Sequence, residues 1–453
     1  MSRFEFWNDA NNPSHPASAP DYLPHEQLRA MQLHRLKITV ARAYANVPLF
    51  RQRMDERGLR PDHLRAIEDV AKLPFTVKAD LRDTYPYGLF ASPLSEIVRL
   101  HASSGTTGKP IVVAYTQHDL DVWQSVVVRS LTAAGLRSGD IVQNAFGYGL
   151  FTGGLGMHGG IEALGATVIP ISGGNTDRQL MLMKDFGVTA IVCTPSYFLY
   201  LLEEGRKCGI DLRELPLRVG VFGAEPWTNE MRARIEDGAG IEAFDIYGLS
   251  EIIGPGVAVE CARHCGLHIF EDHFLPEIID PDTGEVLPDG ATGELVLTTL
   301  SKEAMPMIRY RTRDLSRLIG ERCACGRTLR RLERIAARSD DMLIIRGVNF
   351  FPSQIEAALL QVKAATPNYH IIVSREHGLD QVEVQVEITA DQIGDDIRSV
   401  ETLHRKISLS IERTTGLRMN VRLVPPNALP RSEGKARRVT DLRPKDQPPG
   451  GTP

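Results

Sequence analysis

Between residues 95 and 250 short β-branched or apolar runs recur: Ile111–Tyr115, Ile141–Phe146, Thr167–Ile171, Ala190–Cys193, Val219–Phe222 and Ala243–Tyr247. Most are followed by a Gly/Pro/Ser turn and then by a segment with helical periodicity, as in Asp119–Leu131 and Arg178–Phe186. Strands that return parallel to one another need right-handed crossovers. The alternation therefore predicts an α/β domain with doubly wound, mostly parallel sheets. Ligands of such sheets gather at the carboxyl ends of the strands. The Gly-rich stretches 105–108, 147–160 and 173–174 fall in loops of that kind.

The rest of the chain reads differently. His25 to Gly58 carries apolar residues at helical spacing, among them Leu28, Met31, Leu36 and Val40. Residues 270–335 have an antiparallel pattern, with turns at Asp282-Thr283-Gly284 and Asp289-Gly290. After Asp341 a small mobile α+β C-terminal domain is expected: a helix over Ser353–Val362 that the serine could cap, an alternating strand at Val382, Val384, Val386 and Ile388, a helix over Gln392–Arg413 and a strand over Asn420–Val424. The expected divisions are a flexible tail at 1–22, a large domain at 23–337, a hinge at 338–341, a small domain at 342–443 and a frayed tail at 444–453. With 453 residues, 42% apolar and 24% charged, the chain is long enough for several ordinary globular cores, which excludes disordered and collagen-like classes. Net charge is 52 − 57 = −5, so no basic excess draws it to nucleic acid or anionic membrane. There is no run of membrane-spanning length and no secretory h-region, so a cytoplasmic location is expected; a homodimer is admitted.

Five segments carry chemistry. Ser103-Ser104-Gly105-Thr106-Thr107-Gly108-Lys109-Pro110 combines two glycines, four hydroxyls and a lysine. Successive N–H groups in such a turn form an anion nest, which suits a polyphosphate. It is not a Walker loop, because only two residues separate the glycines and proline follows the lysine. Tyr247-Gly248-Leu249-Ser250-Glu251 puts an aromatic, a hydroxyl and a carboxylate at a strand end, fit for a base and a phosphate-bridging Mg²⁺. Asp314 closes the run Ile308–Asp314 and could accept ribose hydroxyls. Arg338–Asn349 and Pro430–Ala436 complete the set, the latter presenting Lys435. Each has a plainer reading when taken alone: a surface turn, a packed tyrosine, a charged face, a solvated lysine.

Taken in order, the five segments resemble the adenylate-forming superfamily of acyl- and aryl-CoA synthetases. The wording of Leu100–Pro110, Gly147–Gly154, Phe222–Trp227, Asp245–Glu251, Asp340–Asn349 and Pro430–Lys435 is similar to that of the phenylacetate–CoA ligase family over about residues 25–443. The resemblance implies an ATP-dependent ligase in which an aryl carboxylate attacks the α-phosphorus of ATP and coenzyme A then displaces AMP. It implies that Ser103 to Lys109 hold the β- and γ-phosphates and that Thr106 and Glu251 hold Mg²⁺. Ala224, Glu225 and Tyr247 would flank adenine, within a nucleotide site that includes Asp245 and Ser250. Asp314 would bind ribose, with Arg338 reaching ribose or phosphate. Lys435 would act on the reacting carboxylate, Asp340 as a hinge, and Gly347 would leave room for pantetheine. Phe146, Phe151, Ala224, Ile246 and Pro255 would wall an aryl pocket. Three positions depart from the family: Ala337 stands for a usual glycine, Ser250 for threonine, and Phe146 for a tyrosine common in phenylacetate ligases. The last leaves other aryl acids open, such as indoleacetate, benzoate or aminobenzoate. Transfer to a carrier protein also stays open, as does a nucleotide-binding regulatory module without turnover.

The cysteines add a second expectation. Six are too few for a secreted disulfide framework, yet Cys261, Cys265, Cys323 and Cys325 fall in two knuckles with His264 and His268. Such knuckles make a tetrahedral Zn²⁺ site plausible chemistry. The family resemblance favours Cys261, His268, Cys323 and Cys325, with Cys265 as contender for one place. Reduced thiols without metal are the plainer alternative.

Overall fold

The computed structural model describes residues 15–102, 110–335, 337–339, 343–345, 348–362, 365–366, 368–376, 379–389, 397–429 and 438–443. The expected sites at Ser103–Lys109, Asp340, Gly347 and Lys435, and the tail at 444–453, lie outside the described residues. The chain divides into two compact units. The first runs to Glu225 and resumes at Ile235; the second holds Pro226–Arg234 and the residues from Ala337 onward.

The first unit opens with two helices, α1 (His25–Asn46) and α2 (Pro48–Glu56). One helical pattern becomes two because Val47 precedes Pro48: the proline ring drives Val47 to extended backbone, at φ −109° and ψ 102°. Ahead of them, residues 16–22 were expected as part of a poorly packed tail. They instead form a 3₁₀ turn in which Ser18 and Asp21 are buried. The cause is a salt-bridge partner far along the chain, Arg129.

Next come α3 (Lys78–Asp83), β1 (Arg99–Ala102), β2 (Val112–Tyr115) and α4 (Gln117–Ala133). β1 and β2 pair antiparallel on either side of the Gly-rich segment. The Ile111–Tyr115 run is therefore not a strand of the parallel sheet, which corrects one step of the sequence pattern. α4 starts at a reciprocal cap: Thr116 Oγ1 accepts the Asp119 N–H at 3.2 Å and Asp119 Oδ2 accepts the Thr116 N–H at 3.0 Å. Buried on most of its circumference, α4 is a core helix.

The alternation then proceeds as read: β3 (Ile141–Asn144), α5 (Thr152–Ala163), β4 (Thr167–Ile169), α6 (Thr176–Asp185), β5 (Ala190–Cys193), α7 (Pro195–Lys207), β6 (Val219–Gly223), α8 (Asn229–Ala239) and β7 (Glu242–Leu249). Five of these strands lie parallel in the order β4-β3-β5-β6-β7. An antiparallel extension adds β8 (Gly254–Glu260), β9 (Leu267–Ile269), and, after β10 (Phe274–Ile279), β11 (Gly293–Thr299) and β12 (Tyr310–Ser316), the short strands β13 (Leu318–Ile319) and β14 (Arg331–Leu332). β10, β11 and β12 build a second antiparallel ladder. The unit is thus the doubly wound, mostly parallel architecture with an antiparallel part.

Packing of α4 onto this sheet requires glycine at two places. A Cβ on Gly156 of α5 would lie 2.1 Å from the Trp123 ring, and one on Gly254 of β8 would lie 2.2 Å from it. Gly254 also has φ +112°, a conformation other residues rarely adopt. The indole is clamped between them and donates from Nε1 to the Pro255 carbonyl at 2.9 Å.

The second unit contains β15 (Ala337–Arg338), the hairpin strands β16 (Leu343–Ile345) and β17 (Val348–Phe350), α9 (Pro352–Leu360), β18 (Tyr369–Glu376), β19 (Leu379–Glu387), α10 (Ile397–Thr415), β20 (Asn420–Val424) and β21 (Val439–Asp441). Four strands form one sheet in the order β20-β19-β18-β21, covered on its apolar face by Ile355, Leu359, Ile407 and Ile411. α9 begins one residue earlier than expected. Its start is marked by Phe351, whose N–H donates to Gln354 Oε1 at 2.9 Å, rather than by Ser353. Among the described residues no helix is long and apolar enough to cross a membrane.

Candidate active site

The carboxyl end of β7 carries the Tyr247–Glu251 segment, as a parallel strand should deliver it. Tyr247 Oη donates to Asp314 Oδ2 at 2.6 Å, across a separation of 67 residues. Asp314 is buried on β12, and its own N–H donates to Thr312 Oγ1 at 3.0 Å. Two of the segments singled out in the sequence therefore meet side chain to side chain.

Ser250 and Glu251 follow in the turn before β8. Ser250 Oγ lies 2.9 Å from Thr152 Oγ1, the first residue of α5. The Glu251 side chain is only 9% exposed, and its Oε1 lies 3.9 Å from Lys78 Nζ at the start of α3. Beneath the turn, Lys302 Nζ donates to the Glu251 carbonyl at 3.2 Å and sits 4.9 Å from the Tyr115 ring centre. Burial pushes the Lys302 ammonium down to about 8, against the pull of Asp119 and Glu251. A nearly buried carboxylate can ligate Mg²⁺ together with phosphate oxygens, and a nearby lysine can pair with the phosphate charge.

At the end of β6, Ala224 takes a left-handed backbone with φ +70°. That conformation costs an alanine on the order of 1 kcal/mol, so the turn is held by its surroundings. Glu225 Oε1 accepts the Ser196 N–H at 2.8 Å in the first turn of α7, where the helix dipole favours an anion. Its carboxylate is thus engaged at that helix start. Asp245, in the middle of β7, accepts Arg334 Nε at 3.2 Å, and its N–H donates to Glu260 Oε2 at 2.9 Å. Arg338 lies on β15 in the second unit.

The expected pocket residues separate by exposure. Phe146 and Ile246 are buried, whereas Phe151 is 49% exposed at the start of α5. A Cβ on Gly153 would sit 3.4 Å from Phe146 Cβ, so the helix backbone lies close to that ring. Asn144 Nδ2 donates to Tyr148 Oη at 2.8 Å, and Tyr148 Oη lies 3.1 Å from His158 Nδ1. Neither that polar chain nor Lys78, Tyr115, Thr152 and Lys302 was singled out in the sequence. A lone lysine or tyrosine carries no spacing signal; only the Thr116-x-x-Asp119 cap had one. A groove of about 930 Å³ runs along α10 and β20. It is open and lined by Glu401, Arg405, Glu412 and Arg418, which read as solvated charge rather than as chemistry.

The cysteine knuckles converge. Donor atoms of Cys261, His268, Cys323 and Cys325 all lie within 4.8 Å of one another. Cys325 Sγ is 3.4 Å from His268 Nε2, and Cys261 Sγ is 3.7 Å from Cys323 Sγ. Cys265 Sγ also reaches Cys323 Sγ, at 3.5 Å, so the contender is adjacent. A hydrogen bond between Cys261 and Cys325, joined by burial, raises the Cys261 thiol, while that same bond and His268 lower Cys325. Sulfurs this close cannot all ionise without a cation between them.

Residues 61–301 match the AMP-binding enzyme family and residues 347–443 match the AMP-binding enzyme C-terminal domain. The chain is 56% identical to the phenylacetate–coenzyme A ligase of Pseudomonas putida, over 92% of this chain and 95% of that one. It is 54% identical to the phenylacetate–coenzyme A ligase of Thermus thermophilus, over 93% and 98%. It belongs to the phenylacetate–coenzyme A ligase family. Like that family, it is an AMP-forming acid–coenzyme A ligase. A solved 2-hydroxyisobutyryl-CoA ligase in complex with 2-HIB-AMP superposes with a TM-score of 0.89 at 29% identity, covering 97% of both chains. Its fold is therefore the adenylate-forming CoA-ligase fold.

Proposed function

We propose that this ligase adenylates phenylacetate with Mg²⁺·ATP and passes the acyl group to free coenzyme A, giving phenylacetyl-CoA, AMP and pyrophosphate. The observation that carries the reading is the Tyr247–Asp314 pair at a strand end next to the nearly buried Glu251. Asp314 accepts ribose hydroxyls, Tyr247 and the backbone of Ala224–Glu225 flank adenine, and Ser250 and Asp245 support the strand that carries them. Ser103, Ser104, Gly105, Thr106, Thr107, Gly108 and Lys109 cradle the β- and γ-phosphates. Glu251 with Thr106 would hold Mg²⁺, which neutralises phosphate charge when bound. A carboxylate and a triphosphate repel, so holding them in line and supplying positive charge is the main catalytic task. Lys435 supplies that charge at the reacting carboxylate and the α-phosphate. Arg338 reaches ribose or phosphate, and for the second step Asp340 serves as hinge and Gly347 admits the pantetheine arm. Phe146, Phe151, Ala224, Ile246 and Pro255 wall the aryl pocket.

Phe146 keeps other aryl acids in play as substrates. It lacks the phenolic hydroxyl and so removes one polar contact, and one methylene-sized difference in such a pocket is worth about 1–3 kcal/mol. The test is pyrophosphate release with ATP and Mg²⁺ over a panel of aryl acids, each with and without coenzyme A. Release with phenylacetate, matched by thioester, is the expected result. Release only with indoleacetate, benzoate or aminobenzoate moves the substrate and keeps the chemistry; no release with any acid overturns the reading.

Zn²⁺ at Cys261, His268, Cys323 and Cys325 is part of the same proposal. The donor set is thiolate and imidazole, and His268 Nε2 faces Cys325 Sγ at 3.4 Å inside the cluster, the side from which a zinc would be held. None of the four belongs to the nucleotide motifs, so the role is structural. Metal analysis should find about one zinc per chain. Cys323→Ser should lower that content and the melting temperature; equal zinc in the variant would refute the assignment.

A further inference from the structure

The Glu251 turn is held from below by two side chains that the reaction scheme does not use. Tyr115, fully buried, donates from Oη to the Ile253 carbonyl at 2.9 Å and lies 3.5 Å from the Ser250 carbonyl. Lys302, 4% exposed, donates to the carbonyl between them, that of Glu251. The ammonium also stacks on the Tyr115 ring, so each side chain braces the other. The base of this brace is fixed independently. Asp119, in the first turn of α4, accepts the N–H groups of Glu303 at 2.6 Å and Ala304 at 2.9 Å. The loop carrying Lys302 is thus bolted to the same helix start that follows Tyr115.

Packing alone does not call for a lysine there. A buried ammonium is expensive unless paired, and a methionine would fill the same space. Its single described hydrogen bond goes to the residue whose carboxylate would hold Mg²⁺. We infer that Lys302, with Tyr115, is a positioning residue for nucleotide-bound Mg²⁺: it fixes the main chain of Ser250–Ile253 so that the Glu251 carboxylate is set before Mg²⁺·ATP arrives. This rests on the proposed adenylation site. Groups that orient a metal ligand typically change metal affinity by about 10–100-fold when removed.

The test uses the full-length protein with Lys302→Met and Tyr115→Phe. The first keeps volume; the second keeps the ring and removes only the hydroxyl, so it supplies a reading even if the first misfolds. Mn²⁺ binding is measured by electron paramagnetic resonance in the presence of α,β-methylene-ATP, without acid or coenzyme A. The Mn²⁺ dissociation constant should rise by about tenfold or more in Lys302→Met and by about threefold in Tyr115→Phe. In steady state, kcat for pyrophosphate release should fall while KM for the acid stays within about twofold. Adenylation should fall far more than thioester formation from preformed acyl-adenylate. Unchanged Mn²⁺ binding in both variants overturns the inference, and so does an equal loss in both half-reactions. Wild-type protein that binds Mn²⁺ and nucleotide but releases no pyrophosphate would refute the ligase reading alone, because the metal-binding arm still judges Lys302.

Discussion

Arg129→Met destabilises the first unit by about 3–5 kcal/mol, the range seen when one partner of a buried ion pair is removed. Arg129 is wholly buried in α4, and its guanidinium bonds Asp21 Oδ1 at 2.6 Å and Asp272 Oδ1 at 2.8 Å. It also lies 4.3 Å from the centre of the Phe270 ring. Burial by itself would raise the Asp272 carboxyl; the His273 and Arg129 charges overturn this and hold it at about 2, and because burial pushes His273 down to about 4, Arg129 is the counter-charge at neutral pH. Methionine leaves two carboxylates in the core without their main counter-charge. Arg327 Nε still reaches Asp21 Oδ2 at 3.1 Å, which keeps the loss from being larger. Because the folded Asp272 pKa is depressed, its stabilisation is present above the ordinary carboxylate range and is lost as pH falls toward about 2. Urea denaturation at neutral pH checks the prediction. A midpoint shift worth under about 1 kcal/mol would show that Asp21 and Asp272 are paired well enough without Arg129.

The second large effect concerns rate. Lys435→Ala lowers acid-dependent pyrophosphate release by about 10²–10³, the cost of removing one preorganised charged donor. Thioester formation from preformed acyl-adenylate falls much less, since the charge at the α-phosphate is required when that bond breaks to pyrophosphate. Single-turnover measurement of both half-reactions checks this. Equal losses in both would place Lys435 outside the adenylation step.

Much of this was legible in the residue order. Tyr247, Glu251 and Asp314 stood out because a strand end or a run of alternating residues carried them, and the period of a strand says where its end lies. The two cysteine knuckles were equally visible, since close Cys/His spacing limits what can fold between the ligands. The Ile111–Tyr115 run misled because strand periodicity names a strand but not its partner: β2 pairs back across the Gly-rich segment onto β1. Residues 15–22 misled for a related reason. Their composition is that of a tail, and two buried arginines more than a hundred residues away, Arg129 and Arg327, make Asp21 part of the core.

What the sequence by itself determined is the order of local motifs: the alternation that forces a parallel sheet, the loops at its carboxyl ends and the chemistry those loops carry. Local propensity and turn chemistry are short-range, so they can be read residue by residue. Tertiary structure alone decided which distant groups share a desolvated space. It brought Tyr247 to Asp314, Lys302 and Tyr115 under Glu251, Asp21 to Arg129, and four zinc-type donors into one cluster. Burial and charge pairing depend on three-dimensional neighbours, and no spacing along the chain records them.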